Sequence, residues 1–241
     1  MSEALVNVAL QGPKSRELLS QLFFTQPHFP ALEHLKWFGV TVGRLRDREG
    51  AGFLLSRTGY TGELGYELFC ATSDAIALWD SLMAQGEALG IAPMGTSALE
   101  ILRIEAGLAA SGAEFRAGVD AFEAGLGFAV DFRKAEFVGK AALERNAASP
   151  RACLKGLLME GDDVPLPGAV VYAGERQIGE GTSATRSPRL GHGIAMARLA
   201  GEQSQTDHVL EVGMMDGHMK RLPARVADIP FVDPKRERAR A

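Results

Sequence analysis

Hydrophobic and polar residues follow different patterns in the two parts of this sequence. Up to about residue 148, strand-like runs mix with segments whose apolar residues recur at helical spacing. Beyond that point, short strand-like runs are separated by turns rich in glycine and proline. The sequence therefore predicts an α+β fold: a region over 1–148 with antiparallel sheets and packed helices, and a small all-β, barrel-like domain over 149–241.

The α+β region has predicted elements with recognisable boundaries. In the first helix Leu18, Leu19 and Leu22 share one face, and Pro13 stands near its first turn. The turn DREG at 47–50 predicts a hairpin between its two flanking strands. The segment EAGLGFAVDF predicts a buried strand, and FVGKAALERNAA predicts a strand end that leads into a short helix. The other predicted strands are 5–10, 38–45 and 51–69, and the other predicted helices are 74–88 and 96–107.

The second part predicts six short strands with turn signals between them. The strand segments are CLKGLLM, AVVY, QIGEGTSA, GIAMARL, HVLEV and ARVADI. After them the chain ends in the basic segment DPKRERARA, which predicts a frayed and solvated tail.

Composition and charge exclude several classes of protein. The net charge of -4 argues against a general nucleic-acid binder or a binder of anionic membranes. No apolar run is long enough for an ordinary transmembrane helix, and the first residues do not resemble a signal peptide. The two cysteines, Cys70 and Cys153, indicate neither a disulfide scaffold nor a zinc site, so we expect a cytoplasmic protein.

Common catalytic and metal-binding motifs are absent from the sequence. It has no GxSxG, P-loop, HExxH or GxGxxG motif. The five histidines are scattered without ligand spacing, so no metal site is predicted.

The stretch RTGYTGELGYELF, residues 57–69, is the strongest candidate for chemistry. Its glycines would let the backbone approach a flat ligand, and Tyr60 and Tyr66 would offer ring contacts. A carboxylate such as Glu63 or Glu67 matches an amidine-like N–C–NH2 edge, because two parallel N–H donors fit its two oxygens. Pterins and guanines carry such an edge. The alternative is a hairpin with exposed glutamates and glycine turns.

The same stretch resembles the signature hairpin of the glycine cleavage T-protein (aminomethyltransferase) family. The segments LVNVALQGPKSRELL, ALEILRIEAG, EAGLGFAVDF, FVGKAAL, TSATRSPRLGHGIAMARL and ARVADIPFVDP look like further landmarks of that family in the same order.

The resemblance implies a tetrahydrofolate-dependent transferase of one-carbon groups, as in the glycine cleavage system. Glu67 matches the glutamate that holds the pterin edge, and Tyr60 and Glu63 match conserved hairpin positions around it. Arg103 matches a family arginine, and its alternative role is a structural salt bridge with Glu100 or another carboxylate.

One departure from the family leaves the one-carbon donor open. The aminomethyltransferases usually have a further arginine where Leu99 stands, and ALEILRIE looks closer to the folate domains of dimethylglycine and sarcosine dehydrogenases. The alternatives are therefore an aminomethyl group on a lipoylated carrier protein, or a small methylated molecule in a folate-dependent demethylase. A third alternative is a non-catalytic folate-binding or interaction module.

A second departure concerns the start of the chain. Family members carry roughly a further third ahead of the AVQGP-like segment, which includes the aspartate thought to assist transfer. The sequence begins just after that region, so no catalytic residue is assigned. Three alternatives are open for that third: it lies on a separate chain, it belongs to the same protein but is absent from this sequence, or it was lost. The open sheet edge would suit a partner chain or a second copy.

Overall fold

The computed structural model describes residues 4–25, 27–200, 204–215 and 220–241. These residues form two compact units: residues 1–99 together with 235–241, and residues 100–234. These units are defined by which residues pack together in space. They are not the same as the sequence-based domains, 1–148 and 149–241, and those domain limits remain a prediction.

The first unit is built on a five-stranded antiparallel sheet with the strand order β1-β5-β4-β3-β2. Leucines of the two helices α1 and α2 pack against one face of this sheet and form the core of the unit with it. The elements are β1 (Leu5–Gln11), α1 (Ser15–Leu22), β2 (Phe23–Thr25), β3 (Val40–Leu45), β4 (Gly52–Ser56), β5 (Gly65–Ala71) and α2 (Ala75–Gly86).

The opposite face of this sheet is partly exposed, and we call it the open face. Its side chains come into register across four strands, because Asn7 pairs with Phe69, Phe69 with Leu54, and Leu54 with Val42. Leu54 is 40% exposed and Val42 is 38% exposed. In contrast, Leu55, the neighbour of Leu54 along β4, is fully buried on the core face, as the alternation of a strand requires.

The long strand predicted over 51–69 is interrupted. Strands β4 and β5 are joined by residues 57–64, which we call the hairpin loop. The loop holds RTGYTGEL, so the first half of the candidate stretch is irregular and the second half, GYELF, is strand. The hairpin predicted around DREG is confirmed as the pairing of β3 with β4.

The second unit contains the predicted barrel, which is confirmed as six closed antiparallel strands in the order β10-β11-β6-β9-β8-β7. Apolar side chains from these strands fill its interior, and Leu157, Val171 and Val226 are fully buried there. The strands are β6 (Cys153–Met159), β7 (Val170–Ala173), β8 (Arg176–Arg186), β9 (Gly193–Leu199), β10 (Val209–Gly213) and β11 (Arg221–Ala227).

The buried strand predicted for EAGLGFAVDF is wrong. The segment consists of turns and one short 3-10 helix, Gly127–Ala129. The Asp120 carboxylate accepts a hydrogen bond from the backbone N–H of Phe122 and so fixes a turn just before the segment. Gly125 then adopts a φ of 71°, which lies outside the strand region. Local side-chain and glycine chemistry thus overrides the apolar pattern.

The helices are short. α3 (Thr96–Glu105) follows α2, and α4 (Lys140–Ala148) forms where FVGKAALERNAA predicted a helix. The strand end predicted before α4 is wrong, because residues 138–139 form a turn in which Gly139 has a φ of 87°. In the described part of the chain, no helix has both the length and the apolar character needed to cross a membrane.

Two adjacent leucines of β4 test the assignment of the two sheet faces. We expect Leu55→Ala to lower the free energy of unfolding by about 2–5 kcal/mol, because it leaves a cavity in the core. We expect Leu54→Ala to lower it by less than about 1 kcal/mol, because Leu54 lies on the open face. Urea unfolding followed by circular dichroism measures both, and equal losses would contradict the assignment.

Candidate functional site

Glu67 is held in place at the middle of β5. It is partly exposed on the open face, where its strand neighbours are Ala9 and Ser56. Asn7 Nδ2 donates a hydrogen bond of 2.9 Å to Oε1 of Glu67. Thr58 Oγ1 donates a second hydrogen bond to Oε2. Each carboxylate oxygen has two lone pairs, so each can still accept one further hydrogen bond.

The open face also carries apolar side chains on the strands next to this carboxylate. Phe69 follows Glu67 on the same face of β5, and Leu54 pairs directly with Phe69. Val40 pairs with Ser56, which in turn pairs with Glu67, and Val40 is 49% exposed. One oriented carboxylate beside an apolar sheet face can bind a flat ring that carries N–H donors on one edge.

The interpretation of the glycines as a slot for a flat ligand is wrong for Gly59 and Gly65. A Cβ atom at Gly59 would lie 2.0 Å from Oε1 of Gln11, and one at Gly65 would lie 2.2 Å from the same atom. The space that these glycines leave open is therefore filled by the side chain of Gln11. Gly62 is a glycine for a different reason, because its φ of 74° is unfavourable for other residues.

The other predicted residues of the stretch have separate environments. Tyr60 lies in the hairpin loop and is 36% exposed. Glu63 forms an ion pair with Arg238 at 3.0 Å, so it does not converge on the partners of Glu67. Tyr66 is fully buried in the core, where its hydroxyl accepts a hydrogen bond from Arg16, so it offers no ring to the open face.

The frayed tail predicted for DPKRERARA is also wrong. The segment forms a short helix, α5 (Glu237–Arg240), within the first unit. Arg57 Nη2 donates hydrogen bonds to the main-chain carbonyls of Arg240 at 2.8 Å and Ala241 at 2.5 Å. The Arg240 guanidinium lies 5.1 Å from the ring centroid of Trp37. The basic residues of the tail therefore make specific contacts.

Arg57 links this tail to the hairpin loop from a buried position. Its Nη1 donates a hydrogen bond of 2.8 Å to the carbonyl of Leu35. Burial, followed by the positive charge of Arg16, lowers the pKa of Arg57 from its ordinary value. The main-chain carbonyls compensate this loss of hydration. The sequence placed Arg57 at the start of the motif without indicating this structural role.

Arg103 lies in a buried network of the second unit. Its Nη1 donates a hydrogen bond of 2.9 Å to Glu114 Oε2, and its Nη2 donates one of 2.6 Å to Ser183 Oγ. The predicted salt bridge with Glu100 is also present. Arg103 is 2% exposed and Glu114 is fully buried, and Glu114 accepts a further hydrogen bond from Thr182. These contacts favour the structural alternative, and a cofactor role for Arg103 remains a prediction.

The sequence analysis missed the two residues that orient Glu67. Asn7 interrupts the apolar run of residues 5–10, and a polar residue in such a position is a signal for a polar partner. Thr58 lies inside the motif, nine residues before its partner, and only the folded loop brings the two side chains together.

Profiles of a known family match most of the chain. The profile described as "GCVT N-terminal domain" matches residues 1–134. The profile described as "Glycine cleavage T-protein C-terminal barrel domain" matches residues 153–233, which include all six barrel strands.

Individual relatives agree with the profiles. The chain is 44% identical to a trimethylamine-oxide aldolase of Ruegeria pomeroyi over 237 residues, or 98% of this chain and 30% of that protein. It is 42% identical to an aminomethyltransferase of Streptomyces coelicolor over 200 residues, or 81% of this chain and 52% of that protein. The crystal structure of aminomethyltransferase T from Bartonella henselae superposes with a TM-score of 0.80 at 26% identity, covering 95% of this chain and 60% of that one. The chain thus spans 60% or less of each of these relatives.

The buried network around Arg103 yields a stability prediction. We expect Glu114→Gln to lower the free energy of unfolding by about 3 kcal/mol or more, because it removes the buried counter-charge of the arginine. The matched change Glu100→Gln alters a side chain that is 52% exposed, so we expect a loss below about 1 kcal/mol. Chemical denaturation of both variants is the measurement, and a small loss for Glu114→Gln would refute a structural role for the pair.

Proposed function

This chain belongs to the glycine cleavage T-protein family, and we propose that its first unit binds the pterin of a reduced folate through Glu67. We further propose that the protein takes part in tetrahydrofolate-dependent one-carbon transfer. The observation that carries the proposal is the hydrogen bonding of Glu67, because Asn7 and Thr58 orient the carboxylate and leave one acceptor position on each oxygen.

The residues around Glu67 fit the chemistry of a pterin. The N–C–NH2 edge of a pterin presents two parallel N–H donors, which match the two remaining acceptor positions of the carboxylate. The flat ring needs an apolar surface beside that carboxylate, and Phe69, Leu54 and Val40 supply one on the open face. A guanine carries the same edge, so the geometry supports the ring class and the family supports folate within it.

The residues of the chain would contribute mainly binding and orientation. Asn7 and Thr58 hold the Glu67 carboxylate before the ligand arrives, which lowers the entropic penalty of binding. The apolar residues of the open face would exclude water from one side of the ring. Tetrahydrofolate itself supplies the nucleophilic nitrogen that accepts the one-carbon unit.

The complete transfer reaction is proposed only for this chain together with the part of its longer relatives that has no counterpart here. That part is proposed to supply the aspartate that assists transfer. The donor is then an aminomethyl group on a lipoylated carrier protein, or a small methylated molecule. A cytoplasmic location is kept as part of the proposal.

Two observations favour the second type of donor. Leu99 stands where the aminomethyltransferases usually have an arginine, and the 44% identity with the trimethylamine-oxide aldolase spans almost the whole chain. The second candidate is therefore the folate-binding part of a demethylase or aldolase whose small amine substrate provides the one-carbon unit. A reconstituted protein distinguishes the two: transfer from an aminomethyl-lipoyl carrier supports the first candidate, and transfer from a methylated amine or amine oxide supports the second.

Calorimetric titration with a stable reduced folate tests the binding proposal. We expect Glu67→Gln to weaken binding roughly 10- to 100-fold, because hydrogen bonds to a charged group contribute about 1.5–3 kcal/mol. The matched control Glu87→Gln removes the charge of an exposed glutamate next to α2, and we expect unchanged affinity.

Equal affinity of Glu67→Gln and the unchanged chain would refute the role of Glu67. The unchanged sequence, joined to the missing part of its relatives, is the reference. If that reference protein binds no folate, the result would favour the interaction module named in the third alternative.

A further inference from the structure

We propose that Gln11 is a positioning residue that fixes the hairpin loop and through it orients Glu67. The inference concerns the first unit alone. It rests on the proposed function in one respect, because orienting Glu67 affects affinity only if Glu67 binds the ligand. Gln11 has no direct contact with Glu67 in the hydrogen-bond pattern that defines the site, so it would act through Thr58.

The amide of Gln11 uses both its donor and its acceptor groups. Nε2 donates to the carbonyl of Thr58 at 3.3 Å and to the carbonyl of Tyr66 at 3.2 Å. Oε1 accepts a hydrogen bond of 3.0 Å from the hydroxyl of Thr61. One side chain on β1 therefore connects the start and the middle of the hairpin loop to the first residues of β5.

The two glycines near the Gln11 amide leave the space that its side chain needs. Gln11 pairs directly with Gly65 in the sheet, so both residues lie on the same face as Glu67. The Gln11 amide occupies the space that a side chain at position 59 or 65 would need. Its Oε1 atom lies 2.0 Å from the ideal Cβ position of Gly59 and 2.2 Å from that of Gly65. The two glycines are thus explained by the glutamine that they accommodate.

Thr58 connects Gln11 to Glu67 through its main chain and its side chain. Its main-chain carbonyl accepts the hydrogen bond from Gln11, and its hydroxyl donates to Oε2 of Glu67. The far end of the loop has its own anchor in the ion pair between Glu63 and Arg238. Loss of the Gln11 amide should therefore loosen residues 58–61 while the loop stays attached at its other end.

A double-mutant cycle separates positioning from a general loss of structure. We expect Gln11→Ala to weaken the binding of a stable reduced folate about tenfold, measured by calorimetry. In the Glu67→Gln background the same change should have little further effect, because the carboxylate that it positions is gone. A merely structural role would instead weaken binding equally in both backgrounds.

Matched variants make the result interpretable. Gln21→Ala removes another amide of the same unit, which is exposed and bonded to Gln85, and it should leave folate affinity unchanged. Gly59→Ala disturbs the same contact by changing the loop residue instead of the glutamine. It replaces Gln11→Ala in the test if that variant does not fold. It should weaken folate binding as Gln11→Ala does, because the new methyl group would displace the amide.

Backbone order parameters from NMR relaxation keep the inference testable even without folate binding. We expect Gln11→Ala to lower the order parameters of residues 58–61 from rigid-backbone values of about 0.85 to below about 0.6, while those of β3 and the barrel stay unchanged. If the chain joined to the missing part of its relatives binds no folate, the proposed function fails, and the order parameters then decide the loop-fixing role of Gln11. Unchanged order parameters at residues 58–61, or unchanged folate affinity of Gln11→Ala where the native chain binds, overturn the inference.

Discussion

A carboxylate on a β-strand is useful for recognition only when its orientation is fixed before the ligand arrives. In this protein that constraint falls on Glu67, and the surrounding structure meets it with short polar side chains. Asn7 comes from the edge strand and Thr58 from the hairpin loop, so the carboxylate is bonded from two sides. The proposed site depends on this arrangement.

The second unit shows how differently a charged group behaves when it is buried. Arg103 and Glu114 are removed from water, and their mutual contact and the hydroxyls of Ser183 and Thr182 compensate the lost hydration. Such a network leaves little capacity for a ligand. Glu67 is partly exposed and keeps free acceptor positions, which the proposed binding role requires and a structural ion pair does not.

The fold was largely predictable, because its main signals are periodic. The strand alternation of the barrel and the helical faces of α1 and α2 are readable from apolar spacing alone. EAGLGFAVDF was mistaken for a strand because its composition suits one, while Asp120 and the positive φ of Gly125 impose turns. Composition carries no information about such local hydrogen bonds.

The candidate site was predictable only in part. Glu67 stood out through the match between a carboxylate and an amidine-like edge, and through family resemblance. Asn7 and Gln11 did not, because their partners lie 60 and 47 or more residues away along the chain. The glycines of the motif pointed to close approach, but the approaching group turned out to be a side chain of the same unit.

A crystal structure of the chain with a stable reduced folate would test the central claim most directly. The account predicts the pterin on the open face, with its N–C–NH2 edge about 3 Å from both oxygens of Glu67 and the bonds from Asn7 and Thr58 retained. A folate bound elsewhere, or bound with Glu67 turned away from the ring, would contradict it.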